Sequence, residues 1–219
     1  MFHVKHQGGG IFVITDNRDK TIRLLNLSDT GTEKMDAYVS LLEEWQSKMN
    51  LVSSSSLPDV WNRHVLDSGQ LYKYIKDSDK TIFDFGSGAG FPALVLAIMD
   101  EGKNRKFHLV ESDGKKCSFL ETVIKECQLN AVVHNERIEK ISVPSADLIT
   151  ARALAALDKL LAYALPYMSE KTRCLFLKGK KASEEIKAAE KKWSFKKTIH
   201  LSLSGEEGRI LELSEVKKK

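Results

Sequence analysis

From Thr32 to Asn50, apolar side chains return every three or four positions: Met35, Tyr38, Val39, Leu41, Leu42, Trp45 and Met49. That spacing gathers them on one stripe and predicts an amphipathic helix over 32–50, with Thr32 as its N-cap. The serine run 53–56 and Pro58 break the pattern. A second helical stretch follows, with Val60, Trp61, His64, Val65, Leu71, Tyr74 and Ile75 on its apolar side. Trp45, Trp61 and Tyr74 fall at core spacing, so they read as packing inside a helical cap and not as base-stacking platforms. Before Thr32 no period persists and Gly8-Gly9-Gly10 interrupts the chain, so residues 1–31 are expected to form a flexible leader.

Beyond residue 79, short apolar runs alternate with amphipathic stretches. Strands are predicted at Thr81–Phe85, Lys106–Val110, Ala131–His134, Ala146–Thr150 and Thr172–Leu177. Helices are predicted at Pro92–Met99, Gly114–Cys127, Leu154–Met168 and Ser183–Lys192. Lys196–Leu203 and Arg209–Leu213 form a terminal strand pair joined by Ser204-Gly-Glu-Glu-Gly208. Such alternation implies an α/β fold, with a mainly parallel sheet, helices on both faces and an antiparallel strand at the C-terminal end. The expected organisation is a leader (1–31), a small N-terminal helical cap (32–78) and an α/β domain (79–219).

Composition narrows the class. The 219 residues are 42% hydrophobic and 29% charged, ordinary for a globular chain with one buried core. The longest early apolar run, Ile11-Phe-Val-Ile14, is far too short to span a membrane. It lacks the flanks of a secretory signal. Cys117, Cys127 and Cys174 are odd in number and widely spaced, which argues against a disulfide framework or a zinc site. A cytoplasmic protein with reduced thiols, no metal and no membrane partner is expected, and nothing in the chain demands more than a monomer. The net charge of +4 is concentrated late, at Lys178, Lys180, Lys181, Lys191, Lys192, Lys196, Lys197 and Lys217–Lys219. That excess suits an anionic partner such as nucleic acid, or else a solvated lysine face and a frayed tail.

The sharpest chemical signal is Asp84-Phe-Gly-Ser-Gly-Ala-Gly90, where the first parallel strand turns into its helix. Glycines let a ligand approach the backbone, and ligands of open α/β sheets bind beyond the carboxyl ends of the strands. The next strand ends in Glu111, whose carboxylate can accept from both hydroxyls of an adenosine ribose. A dinucleotide site needs G-x-G-x-x-G, but the sixth position here is Phe91, followed by Pro92. The spacing Gly86-x-Gly88-x-Gly90 therefore points to a nucleoside ligand without a pyrophosphate, such as S-adenosyl-L-methionine, on a Rossmann-like domain.

Several segments together resemble the bacterial 16S ribosomal RNA guanine-N7 methyltransferase family of the G type, also called glucose-inhibited division protein B. They are Leu41-Leu-Glu-Glu-Trp45 with Asn50-Leu51, Arg63-His-Val-Leu-Asp-Ser68, Asp84–Pro92, Leu109-Val-Glu-Ser112 with Lys115-Lys116, and Phe119-Leu120. Arg137-Ile-Glu139, Thr150-Ala-Arg-Ala153 and Leu177-Lys-Gly179 complete the set. The family pattern has Asn at Gln46, Thr at Val52 and Gly at Ala93. The resemblance implies a Rossmann-like fold that uses S-adenosyl-L-methionine, with 16S rRNA or the small ribosomal subunit as partner. By the same resemblance, Gly86, Gly88 and Phe91 would line the methionine end of the cofactor, Gly90 would also contact it, Glu111 would hold its ribose, and Ile138 and Glu139 would border its adenine. Arg152 would face both cofactor and substrate at the mouth, shaped from the cap by His64, Asp67 and Ser68. Lys115, Lys116, Arg137, Lys178, Lys180 and Lys181 would meet RNA phosphates.

The residues also bear on the reaction type. No cysteine follows a proline, as pyrimidine C5 methylation usually needs, and Thr150-Ala-Arg-Ala153 stands where adenine amino-methylating enzymes carry Asn/Asp-Pro-Pro-aromatic. Guanine N7 has a free lone pair, so its methylation can rest on alignment and electrostatics without a base. Arg152 is the candidate for positioning the guanine through O6. The alternative is a bracing ion pair with Asp147, Asp84 or Glu111. His64 is the second catalytic candidate because imidazole titrates near neutrality, the alternative being a hydrogen-bonded histidine that orients the cap. Lys178-Gly-Lys-Lys181 is either an RNA contact or an ordinary strand-to-helix turn. Three other readings remain: a methyltransferase on another RNA or a small molecule, a non-catalytic RNA-binding module, and a nicotinamide oxidoreductase.

Overall fold

The computed structural model describes residues 17–219. Its first helix, α1 (Asn17–Leu25), lies inside the stretch expected to be a leader, so that expectation is corrected for residues 17–31. Residues 1–16 lie outside the described part. Helix α1 docks through a narrow stripe that a periodicity search passes over. Buried Thr21 donates to Trp61 O at 3.3 Å, and Leu25 fills the space above Gly69, where a Cβ would come within 2.4 Å of it. Helix α2 (Asp29–Gln46) starts earlier than predicted. Its N-cap is Ser28, whose hydroxyl accepts from Gly31 N at 2.9 Å. The segment from Leu57 to Tyr74 is helical but irregular. A 3-10 turn leads into a π-wound stretch (Trp61–Leu66), a single α-turn α3 (Asp67–Gly69) and a second 3-10 turn (Gln70–Tyr74). Wide π-turns redirect side chains and recur at functional sites; this one carries His64.

The remainder alternates as read: β1 (Thr81–Phe85), α4 (Ala93–Met99), β2 (Lys106–Glu111), α5 (Gly114–Glu126), β3 (Ala131–Asn135), β4 (Ala146–Arg152), α6 (Leu157–Ala164), β5 (Met168–Lys178), α7 (Ala182–Ala189), β6 (Trp193–Leu201) and β7 (Arg209–Lys218). The sheet order is β3-β2-β1-β4-β5-β7-β6. The first five strands are mutually parallel, and β7 runs antiparallel to both β5 and β6. Alternate residues serve two cores. Ile82, Leu148 and Leu175 pack toward α4, α5 and the cap, while Phe83, Ile149 and Phe176 pack toward α6 and α7. Helix α6 is shorter than predicted because Ala153 turns the chain with φ +54° and Pro166 closes the following turn. The lysine-rich end is not frayed: Lys217 and Lys218 pair with Ser194 and Trp193. All three cysteines are buried free thiols, and burial pushes Cys174 up to about 12.

At the edge where the parallel strands begin, two arginines are buried. Arg105, 1% exposed, pairs with Asp100 and donates to Asp79 O at 3.0 Å and Lys76 O at 3.2 Å. Arg173 bridges Asp79 and Glu212 and donates to Tyr74 O at 3.0 Å. Removing one partner of such a pair strands a buried charge. Arg105→Ala should cost about 3–5 kcal/mol in denaturant unfolding. A loss below about 1 kcal/mol, the range of exposed pairs, would show that this cluster does not stabilise the fold.

Candidate cofactor and substrate site

Strand register assembles the site. β1 lies between β2 and β4, with Phe85 paired to Val110 on one side and Ala151 on the other; Arg152 pairs with Leu177. The next residues along each strand, Gly86, Glu111, Arg152 and Lys178, therefore emerge side by side at one edge. The chain passes out from β1 to β3 and returns to β4, so this edge is the switch point where open α/β sheets bind ligands.

The glycine turn is stapled to β2: Gly86 N and Ser87 N both donate to Val110 O, at 2.9 and 3.1 Å. Its glycines have different reasons. A Cβ at Gly90 would lie 2.3 Å from Leu94, and one at Gly86 would lie 2.6 Å from Leu154, so these two make room for packing. At Gly88 (φ +55°) a Cβ would meet only Gly86 O, at an ordinary 3.8 Å, so here no side chain fills the space and bare backbone forms the floor of a cavity. The Glu111 carboxylate holds this floor in place. It accepts from Gly88 N at 2.9 Å through Oε2, and from Ser112 N and Asp113 N at 2.8 and 2.9 Å through Oε1. With two acceptor positions per oxygen, Oε2 retains one for a ligand hydroxyl. That is more committed than expected for a residue holding two hydroxyls.

Two cavities meet here. The smaller, about 270 Å³, is lined by Gly86, Gly88, Glu111, Ile138 and Glu139, with Lys116, Arg137 and Tyr163 at its sides. The larger, about 810 Å³, lies between Arg63, His64 and Asp67 of the cap, Lys178, and the β6–β7 connection from Ser204 to Gly208. Arg152, Ala153 and Leu154 line both. Ala153 carries its left-handed backbone at this junction, a strained choice for a non-glycine residue and one the sequence does not announce.

Arg152 is the centre of the junction. Its guanidinium is 19% exposed, lies 5.0 Å over the Phe91 ring, donates to Arg63 O at 3.1 Å and faces Asp67 at 3.6 Å. Burial lowers its pKa, opposed by Asp67. Its ion-pair partner is thus Asp67 of the cap and none of the three acids expected; Asp147 instead accepts from Lys80 N and Thr81 N at the other edge. Phe91 is buried, stacked against His64 at 5.0 Å, and supports Arg152 from below without lining either cavity. Gly90 likewise serves packing and lines neither cavity. The His64 Nε2 lies 2.9 Å from Ser56 Oγ. Burial, with Arg152 and Arg63 close by, pushes its pKa down to about 3, so the imidazole is neutral. Beneath the turn, Asp84 is buried with Oδ1 accepting from Thr150 at 2.7 Å and Oδ2 unpartnered. Burial raises its pKa to about 7. Tyr38 of α2 donates to Ala89 O at 2.6 Å and ties the cap to the turn.

The basic candidates divide. Lys178 is not available to phosphates: its side chain is 7% exposed, paired with Glu185 at 2.7 Å and bonded to Ala155 O at 2.6 Å. Lys116 and Arg137 flank the smaller cavity, and Lys115 is exposed beside them. Lys180 and Lys181 are exposed on the turn after β5. The β6–β7 connection, read from sequence only as a joint, proves to be a cavity wall. Among the described residues, no group of His, Cys, Asp or Glu is arranged to hold a metal ion, and no helix is long and apolar enough to cross a membrane.

Comparison with known proteins places this geometry. The family model for rRNA small subunit methyltransferase G (GidB) matches residues 31–213. Ribosomal RNA small subunit methyltransferase G of Paramagnetospirillum magneticum is 45% identical over 184 residues, 84% of this chain and 88% of that protein. The protein of the same name from Cereibacter sphaeroides is 40% identical over 90% of this chain and 96% of its own length. Among solved structures, an O-methyltransferase from Bacillus cereus in complex with SAH shares the fold with TM-score 0.56 at 13% identity, covering 90% of this chain and 96% of that one. A SAM-dependent methyltransferase from Aquifex aeolicus gives 0.54 at 16% identity, covering 71% and 92%. The strand order, the glycine turn, the paired cavities and these relatives agree, and the chain belongs to the rRNA small subunit methyltransferase G family.

Proposed function

We propose that the protein transfers a methyl group from S-adenosyl-L-methionine to N7 of a guanine in a loop of 16S rRNA. The observation that carries this reading is the meeting of a nucleoside-sized cavity and a larger one at Arg152, within a family of rRNA methyltransferases. The residues fit the cofactor: Gly88 leaves a bare backbone floor, Glu111 Oε2 keeps an acceptor for a ribose hydroxyl, and Ile138 offers an apolar surface to adenine. When bound, S-adenosyl-L-methionine supplies an electrophilic methyl group on a sulfonium.

The protein's own part is alignment. With the cofactor held by Gly88, Glu111 and Ile138, its sulfonium would supply the methyl group to the guanine N7 lone pair and would leave as a neutral thioether, the positive charge then residing on the guanine ring. No proton moves, so a neutral His64 is no obstacle. Its role is positioning, through the Phe91 ring on which Arg152 rests. Arg152 donates to guanine O6, and Asp67 offsets its charge so that it does not oppose the cation forming on the base. Because the major groove of A-form RNA is too narrow to enter, the target guanine is splayed from a loop. Exposed Lys115, Arg137, Lys180 and Lys181, with half-buried Lys116, meet the phosphates around it. A monomer acting in the cytoplasm, where ribosomes are assembled, completes the reading.

Small ribosomal subunits lacking the modification, incubated with the protein and methyl-labelled cofactor, should yield N7-methylguanosine at one position of 16S rRNA by mass spectrometry. Label on another base, or none, would refute the reading. Glu111→Ala should raise the cofactor Kd at least about tenfold by calorimetry, the worth of one charge-assisted hydrogen bond. An unchanged value would mean that the ribose lies elsewhere. Arg152→Ala should lower kcat roughly 10²-fold, the scale for one lost transition-state donor. Turnover at the wild-type rate would leave Arg152 a brace only. With a His64 pKa of about 3 against an ordinary 6.5, the ring stays uncharged down to pH 5. Wild type and His64→Gln should therefore share one profile shape from about pH 5 to 9. An acidic limb that vanishes in the variant would restore His64 as a proton carrier.

A further inference from the structure

The β6–β7 connection is pinned far more firmly than a hairpin tip requires. Asp67 Oδ1 accepts from Ser204 Oγ at 2.6 Å and from Ser202 Oγ at 3.3 Å, on the same carboxylate that faces Arg152. Gln70 accepts from Leu203 N at 2.7 Å and donates to Ser202 Oγ at 2.8 Å. On the other side, Ser202 N donates to Gly208 O at 3.1 Å, and Arg209 donates to the carbonyls of Glu206 and Gly208 at 2.6 and 2.8 Å. A Cβ at Gly208 would come within 2.5 Å of Ser202, so the loop closes tightly on itself.

What this fixed loop brings to the larger cavity is Glu206 and Glu207. Both are exposed, and among the described residues neither carboxylate takes part in a hydrogen bond or ion pair. The other carboxylates of the cavity are engaged: Asp59 with Asn17 and Asn62, Asp67 with Ser204 and Arg152, Glu185 with Lys178. Resting on the guanine-N7 reading above, we propose that Glu206 and Glu207 read the Watson–Crick edge of the target guanine, accepting its N1–H and exocyclic amino hydrogens. Gln70 is a positioning residue that holds the loop for this contact.

The chemistry selects guanine. Among the RNA bases only guanine sets two donors side by side on that edge, and a carboxylate offers two acceptors to match. Adenine would present an unprotonated N1 and meet lone-pair repulsion. N7 lies at the far side of the ring from these donors. A guanine whose N7 faces the glycine turn therefore turns its donors toward more distant walls of the cavity, as a splayed base is read in its pocket. The contact also strengthens as the reaction proceeds. When N7 gains the methyl group the ring becomes cationic and N1–H more acidic, so the hydrogen bond tightens in the transition state without transferring its proton.

The test uses small subunits reassembled with 16S rRNA carrying guanine or inosine at the methylated position. Inosine keeps N7, O6 and N1–H and lacks only the amino group. Wild type should favour guanine about tenfold in kcat/KM, the scale of one charge-assisted hydrogen bond. The Glu206→Gln/Glu207→Gln variant should lose turnover on guanine and bring that ratio near one, with cofactor affinity unchanged. Gln70→Ala should lower the ratio too, and so should Gln70→Glu, which keeps the acceptor for Leu203 N–H but sets a second carboxylate against Asp67, to which the Gln70 amide donates at 3.1 Å; in both variants cofactor affinity should be unchanged. A wild type indifferent to the amino group, or a double variant that keeps the preference, overturns the edge contact alone. If wild type forms no N7-methylguanosine, the functional reading falls with it.

Discussion

Everything at this site follows from the placement of β1 between two parallel neighbours whose ends are level with its own. Because Phe85 is paired at once with Val110 and Ala151, the residues that leave the three strands do so at the same height. A one-residue slip in either pairing would turn Glu111 or Arg152 to the opposite face of the sheet. The glycine turn reinforces the register by docking two amides on Val110 O, and Glu111 reinforces it again by accepting from Gly88. The floor of the smaller cavity is thus built from hydrogen bonds that also lock the strand ends.

Around that floor, burial and charge are balanced to favour alignment over proton transfer. Arg152 is largely enclosed, yet it has Asp67 on one side and an aromatic face on the other. The imidazole beside it is held neutral by the same burial and by the neighbouring arginines. Asp84, under the turn, is pushed up toward neutrality because the interior disfavours its charge. His64, with a pKa of about 3, is too weak a base at neutral pH, and Asp84, whose pKa of about 7 would suit one, lies under the turn and lines neither cavity. That arrangement suits a nucleophile with a lone pair already exposed and would serve poorly one that must first be deprotonated.

The sequence carried the α/β alternation, the glycine turn and the position of Glu111 at the end of β2 with little loss, because each is encoded in local residue types. It failed where local signals are weak or misleading. Helix α1 was passed over because its buried stripe is short and surrounded by charge. Lys178 looked like a free cation on a Lys-Gly-Lys-Lys turn, but tertiary packing encloses it against Glu185. Phe91 and Gly90, read as cofactor residues from their place in the motif, line neither cavity; Phe91 stacks on His64 and Gly90 clears room for Leu94. Asp67 as the partner of Arg152 needed the third dimension, since the two residues are far apart in the chain. The left-handed Ala153 left no trace in the sequence at all.

The buried arginines that brace the fold, Arg105 and Arg173, sit where the parallel strands begin, and the cavities open where those strands end. Rigidity and chemistry are therefore segregated to opposite poles of one sheet. Drift at the first pole changes the temperature at which the protein survives; drift at the second changes what it modifies. A lineage of such enzymes can adapt to heat or cold by altering one pole while the other stays under separate selection.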